Sequence, residues 1–181
     1  MSSKLGLKCD SKCIQMNQVA VSSQHQVVSK KRCKATRTFR FITIGRSVPL
    51  KGFDLVVEAF NKLLREDISG MNYQLVVIGD GPYLNSLIEL AGGCPHIEFT
   101  KWVTHDKVFD YLSESDAFVF PSHEGAGMVV AEAASFGLPI ICLDNYGPGE
   151  LMPESYPLMV DSSLTREQII SCLKEVMMNI S

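Results

Sequence analysis

From residue 39 onward the chain alternates short apolar runs with amphipathic ones, and this alternation restricts it to one broad architecture. The stretch "FRFITIG" (39–45) is rich in aromatic and β-branched residues and ends in glycine, which reads as a strand. Next, "FDLVVEAFNKLLRE" (53–66) sets Leu55, Val56, Ala59, Phe60 and Leu63 at helical spacing. "YQLVVIG" (73–79) reads as a strand, and "PYLNSLIELAG" (82–92) as a helix opened by proline, whose missing N–H costs nothing at a first helical position. The same reading gives a strand at "IEFT" (97–100), a helix at "DKVFDYLSES" (106–115) and a strand at "AFVFP" (117–121). A helix at "GMVVAEAASFG" (127–137), a strand at "PIICLD" (139–144) and an amphipathic helix at "LTREQIISCLKEVM" (164–177) complete the pattern. Repeated strand–helix units predict a parallel sheet with helices on both faces, a doubly wound α/β domain over residues 39–181.

Residues 1–38 do not join this pattern; they are polar and read as an N-terminal arm or the remnant of an interdomain linker. "KKRCKATRTFR" (30–40) holds six basic residues, a run short enough to be a solvated arm rather than a surface for polyanions. The net charge of -3 provides no overall positive field, so no nucleic acid partner is expected. No apolar run reaches membrane-spanning length, and "MSSKLGLKCDSKC" lacks the apolar centre of a secretory signal. The expectation is a cytoplasmic protein, with peripheral placement at a membrane as the alternative. Cys9, Cys13, Cys33, Cys94, Cys142 and Cys172 are scattered without CxxC pairs, so reduced thiols are expected. The four histidines, His25, His96, His105 and His123, do not cluster in sequence either, and no metal site is expected.

In sheets of this kind ligands bind at the carboxyl ends of the strands. The loops there are "GRSVPLKG" (45–52), "GDGP" (79–82), "TKWVTHD" (100–106) and "PSHEGAG" (121–127). The helix after Gly127 carries Met128, Val129, Val130, Ala131, Ala133, Ala134 and Phe136, so it reads as apolar nearly all round and therefore buried. Glu132 lies inside it. A buried carboxylate needs a partner, which could be an internal cation, backbone donors or the hydroxyls of a ligand. Glu124 precedes the helix, and Gly125 and Gly127 would let the backbone approach a ligand closely. The unpaired N–H groups of the first turn, from Gly127 to Val129, suit phosphate or hydroxyl oxygens. Arg46 and Lys51 flank "SVPL" directly after a strand, and a guanidinium beside an ammonium suits a diphosphate, although two surface cations need no function. "GDGP" could be no more than a tight turn.

Taken together, "GR…KG" (45–52), "GDGP" (79–82), "PSHEGAGMVVAEAASFGLP" (121–139) and "GPGE" (147–150) resemble the C-terminal, donor-binding domain of retaining GT-B glycosyltransferases, the group 1 or family 4 enzymes. The resemblance covers residues 39–178 and implies one Rossmann-like half of a GT-B fold. It implies that Arg46 and Lys51 hold the donor diphosphate and stabilise the leaving nucleoside diphosphate, with no metal or other cofactor required. Glu124 would meet the donor sugar near the reaction centre and count as catalytic with Arg46 and Lys51. The amides of Gly127, Met128 and Val129 would hold diphosphate or sugar, Glu132 the ribose hydroxyls, and the loop around Val103 the base, through its backbone. Gly45, Gly79, Gly125 and Ala126 would complete the contacts with the donor.

The implied partners are a nucleotide-sugar donor, a sugar or lipid-linked glycan acceptor, and an N-terminal Rossmann-like domain or partner chain, in polysaccharide or glycoconjugate synthesis. This sequence departs from the family at three places. Ala126 stands where an aromatic residue is common, which implies a roomier sugar pocket, and Lys101 stands near a common glycine beside the base. Family enzymes have two Rossmann-like domains, whereas this chain has room for one, and "CIQMNQVAV" (13–21) reads as the tail of an interdomain connection. Two other readings are a nucleotide-sugar-binding module without catalysis, or a truncated subunit that needs a partner, and an epimerase of the same architecture. The epimerase is disfavoured because nothing marks a second catalytic base.

Overall fold

The computed structural model describes residues 38–123, 127–153 and 155–181. The arm up to Arg37, with "CIQMNQVAV", lies outside the described residues, as do Glu124, Gly125 and Ala126. The elements run β1 (Thr38–Ile44), α1 (Phe53–Glu66), β2 (Asn72–Ile78), α2 (Leu84–Ala91), β3 (Ile97–Thr100), α3 (His105–Glu114), β4 (Ala117–Phe120), α4 (Gly127–Ser135), β5 (Ile140–Leu143), β6 (Met159–Val160) and α5 (Arg166–Ile180). Short 3-10 turns lie at Pro49–Lys51 and Pro148–Leu151.

All strand pairs are parallel, and the sheet order is β3-β2-β1-β4-β5-β6. The chain is Rossmann-like, as its alternation predicts. β4 and β5 are buried along their whole length, as strands covered on both faces must be. α1, α2 and α5 pack together over one face, while α3 and α4 meet through Phe109 and Phe136, whose ring centroids are 5.5 Å apart. Right-handed crossovers that leave β1 in one direction and β4 in the other put these two helix layers on opposite faces. Phe41, Phe53, Phe60, Phe118 and Phe120 are fully buried in the core, each contributing about 1.5–3 kcal/mol by burial alone.

Three expectations need correction. The helix expected from Pro82 begins at Leu84, because the Tyr83 amide donates to Ser47 O at 3.1 Å and holds Gly81 to Tyr83 in a turn. The strand β6 is absent from the sequence reading, since two residues are too few to show a period. Helix α4 is not buried all round: Val130, Ala131 and Ala133 are buried, whereas Gly127, Met128 and Ala134 are exposed. Val130, Ala131 and Ala134 line an apolar groove of about 470 Å³ with Leu138, Leu151, Met152 and Tyr156.

Candidate functional site

Beginning at the centre of the sheet, consecutive strands run in opposite directions from β1 and β4, which lie side by side with Phe41 opposite Ala117. A crevice opens at the carboxyl ends of two such strands. Here it is bounded by the loop after β1, carrying Arg46 and Lys51, and by the loop after β4, carrying His123 and leading into α4. The two loops are joined directly: the His123 amide donates to Leu50 O at 2.8 Å. Gly52, at φ +66, lies so close that an added Cβ would come 2.4 Å from Pro121 O.

The loop after β2 is pressed just as tightly against the loop after β1. A Cβ on Gly79 would lie 1.8 Å from Gly45 O, and the Ser47 amide donates to Asp80 O at 2.9 Å. The Gly79 amide in turn donates to Thr100 O at 2.8 Å, joining the β3 loop to the rim. On the other side, Asn145 Nδ2 donates to Ser122 O at 2.9 Å. Gly45 and Gly79, expected beside a ligand, thus meet each other, and the neighbouring backbone is what excludes a side chain at Gly79. Ser47 Oγ and Asn145 Oδ1 are buried in this rim without a hydrogen-bond partner among the described residues.

Arg46 is exposed at the start of the first loop. Lys51 closes the Pro49–Lys51 turn, whose shape is set by proline at its start and by the Gly52 amide donating to Pro49 O at 3.0 Å. The Lys51 Nζ lies 5.4 Å from the centroid of the Phe120 ring, at the end of β4. A cation over an aromatic face is held to that side of the crevice by about 0.5–1 kcal/mol. The structure therefore brings Arg46 and Lys51 to one rim, at the switch point.

Beyond the loop after β4, α4 opens with Gly127 at φ +60, and Met128 is 63% exposed, so the first turn faces solvent. Amides there have no intrahelical acceptor. Val129 is half-buried against the core, as is Val103, whose side chain packs inward. Glu124, Gly125 and Ala126 lie outside the described residues.

Of the partners left open for Glu132, the structure supplies a side chain. His105 Nε2 donates to Glu132 Oε1 at 2.9 Å, the carboxylate side chain being 17% exposed and the imidazole 63%. The imidazole also packs on Phe109, with ring centroids 4.4 Å apart. His105 was not among the expected site residues because no other histidine stands near it in sequence. The signal that could have found it is a matched spacing, since His105 and Phe109, like Glu132 and Phe136, are four residues apart and so share a helix face.

Among the described residues no group of three or more His, Cys, Asp or Glu is placed to hold a metal ion, and no helix is long and apolar enough to cross a membrane. Cys94, Cys142 and Cys172 are free thiols, and burial, helped by the Asp144 charge, pushes Cys142 up to about 12.

Comparison with known proteins bears on this geometry. The chain is 27% identical over 161 residues to a GDP-mannose-dependent alpha-(1-6)-phosphatidylinositol monomannoside mannosyltransferase of Mycobacterium tuberculosis, covering 83% of this chain and 41% of that protein. It is 34% identical over 114 residues to the sulfoquinovosyl transferase SQD2 of Arabidopsis thaliana, covering 62% of this chain and 21% of that one. The chain therefore spans less than half the length of these relatives. The crystal structure of the GtfA/B complex superposes with a TM-score of 0.65 at 25% identity, over 78% of this chain and 29% of that one. WaaG, a glycosyltransferase involved in lipopolysaccharide biosynthesis, superposes with a TM-score of 0.61 at 22% identity, over 78% of this chain and 38% of that chain, a likeness of fold. The family described as glycosyl transferases group 1 matches residues 26–177, more than half of the sequence, and the chain belongs to that family.

Proposed function

We propose that this chain is the donor-binding domain of a retaining glycosyltransferase of family 4, and that its switch-point crevice holds a nucleotide-sugar. The observation that carries the reading is the placing of two cations, Arg46 and Lys51, on the β1 loop that His123 ties to the loop before α4. Loss of a nucleoside diphosphate from an oxocarbenium-like centre develops charge on the leaving oxygens, and preorganised positive groups lower its barrier. Arg46 would bind the diphosphate with its planar fork, and Lys51 would act as a point charge. The open first turn of α4 adds the amides of Gly127 to Val129. With these groups in place no metal is needed to neutralise the diphosphate.

Glu124, between β4 and α4, is assigned to the donor sugar, and Glu132 to the ribose. Val103 leaves its backbone for the base because its side chain is turned into the core. The acceptor, a sugar or lipid-linked glycan, is assigned to a second Rossmann-like unit across the crevice. A second reading is a domain that binds the donor and transfers sugar only together with a partner domain or chain.

A thermal-shift screen of nucleoside diphosphates and nucleotide sugars, with and without chelator, tests the reading. Stabilisation by at least one nucleoside diphosphate that persists in chelator is expected. Stabilisation that chelator abolishes would overturn the metal-free account, and no stabilisation by any of them would overturn the donor site.

A further inference from the structure

We infer that His105 is a positioning residue that presets the Glu132 carboxylate for a ribose and ties it to the loop that meets the base. This rests on the proposed donor site. The opening residue of α3 directly follows the loop of Trp102, Val103 and Thr104, at the carboxyl edge of β3. Its bond to Glu132 therefore joins the helix that carries the ribose acceptor to the loop assigned to the base. A glutamate has three rotatable bonds, and ordering them on ligand binding would lower affinity. An imidazole N–H held at 2.9 Å from Oε1 orders the carboxylate in advance and leaves Oε2 as an acceptor. The imidazole is itself held, because Phe109 lies against it and Phe136, one turn beyond Glu132, lies against Phe109.

Burial does not account for this histidine. Its side chain is 63% exposed, so a core-filling role is excluded. What the pair does fix is geometry: which way the carboxylate faces, and how far it stands from the Val103 loop.

The test uses the whole chain with His105→Ala, His105→Gln and Glu132→Gln. ADP, GDP, CDP, UDP and their 2′-deoxy forms are titrated by calorimetry, and each variant is melted. The wild type is expected to prefer the ribose form of whichever diphosphate it binds, and Glu132→Gln to lose that preference. His105→Ala is expected to weaken the ribose form by about fivefold, because the carboxylate must then be ordered on binding, and the deoxy form less. His105→Gln should restore most of the preference, because its amide donates from nearly the same place.

A His105→Ala protein with a lower melting temperature but an unchanged ribose preference would show a structural clamp only and overturn the inference. Equal loss of preference in the Ala and Gln variants would overturn it as well. If the wild type binds diphosphates without ribose preference, or binds none, the proposed role of Glu132 fails and this inference fails with it. Loss of preference in Glu132→Gln but not in His105→Ala defeats the inference alone.

Discussion

Gly79 shows how a motif residue can be required for a reason other than the one its motif suggests. Glycine after a strand reads as room for a ligand, yet an added Cβ here would lie 1.8 Å from Gly45 O, and φ is 143°. Gly79→Ala is therefore expected to destabilise the fold by about 2–4 kcal/mol, from overpacking against backbone together with an unfavourable dihedral. Urea denaturation measures this. A variant that folds like the wild type and loses only ligand affinity would mean that a ligand, not the neighbouring loop, excludes the side chain. Glu132 shows the converse. Its sequence context states that a partner is needed, but the partner, His105, stands 27 residues away, and only the packing of α3 on α4 brings it within reach. Local pattern reports the need for a partner, while the tertiary fold decides which one.

At the scale of elements, long periodic segments were legible and short or half-covered ones were not. Helix α1 occupies the span its apolar spacing predicts, because seven of its residues are buried against the sheet and its neighbouring helices. Helix α5 shows its start as well: the Thr165 side chain accepts from the Gln168 amide and the Gln168 side chain accepts from the Thr165 amide, a reciprocal cap visible as T-x-x-Q. Thr165→Ala is expected to lower stability by about 1 kcal/mol, measured by the shift in denaturant midpoint at constant slope. An unchanged midpoint would show that Arg166, which binds Asp54 and Glu58 on α1, holds the end of α5 without the cap. That ion-pair group has no local signature, since its partners are over a hundred residues apart. Helix α4 misled because composition alone cannot tell an apolar face packed on a sheet from one lining an open groove.

For the whole molecule, alternation of strands and helices is enough to imply a parallel, doubly wound sheet, but not the order of its strands. The order β3-β2-β1-β4-β5-β6 is what makes β1 and β4 neighbours and turns two separate loops into two walls of one crevice. Arg46 and Lys51 could be picked out from their residue types, whereas the meeting of their loop with the loop after β4 depends on that order. The central claim is that these cations bind the diphosphate of a nucleotide. The most direct measurement is calorimetric titration of the wild type, Arg46→Ala and Lys51→Ala with the bound nucleoside diphosphate and with the matching nucleoside. Each variant is expected to lose about 1.5–3 kcal/mol, some tenfold to a hundredfold, for the diphosphate and little for the nucleoside. Equal losses for both ligands, or none for either, would contradict the claim.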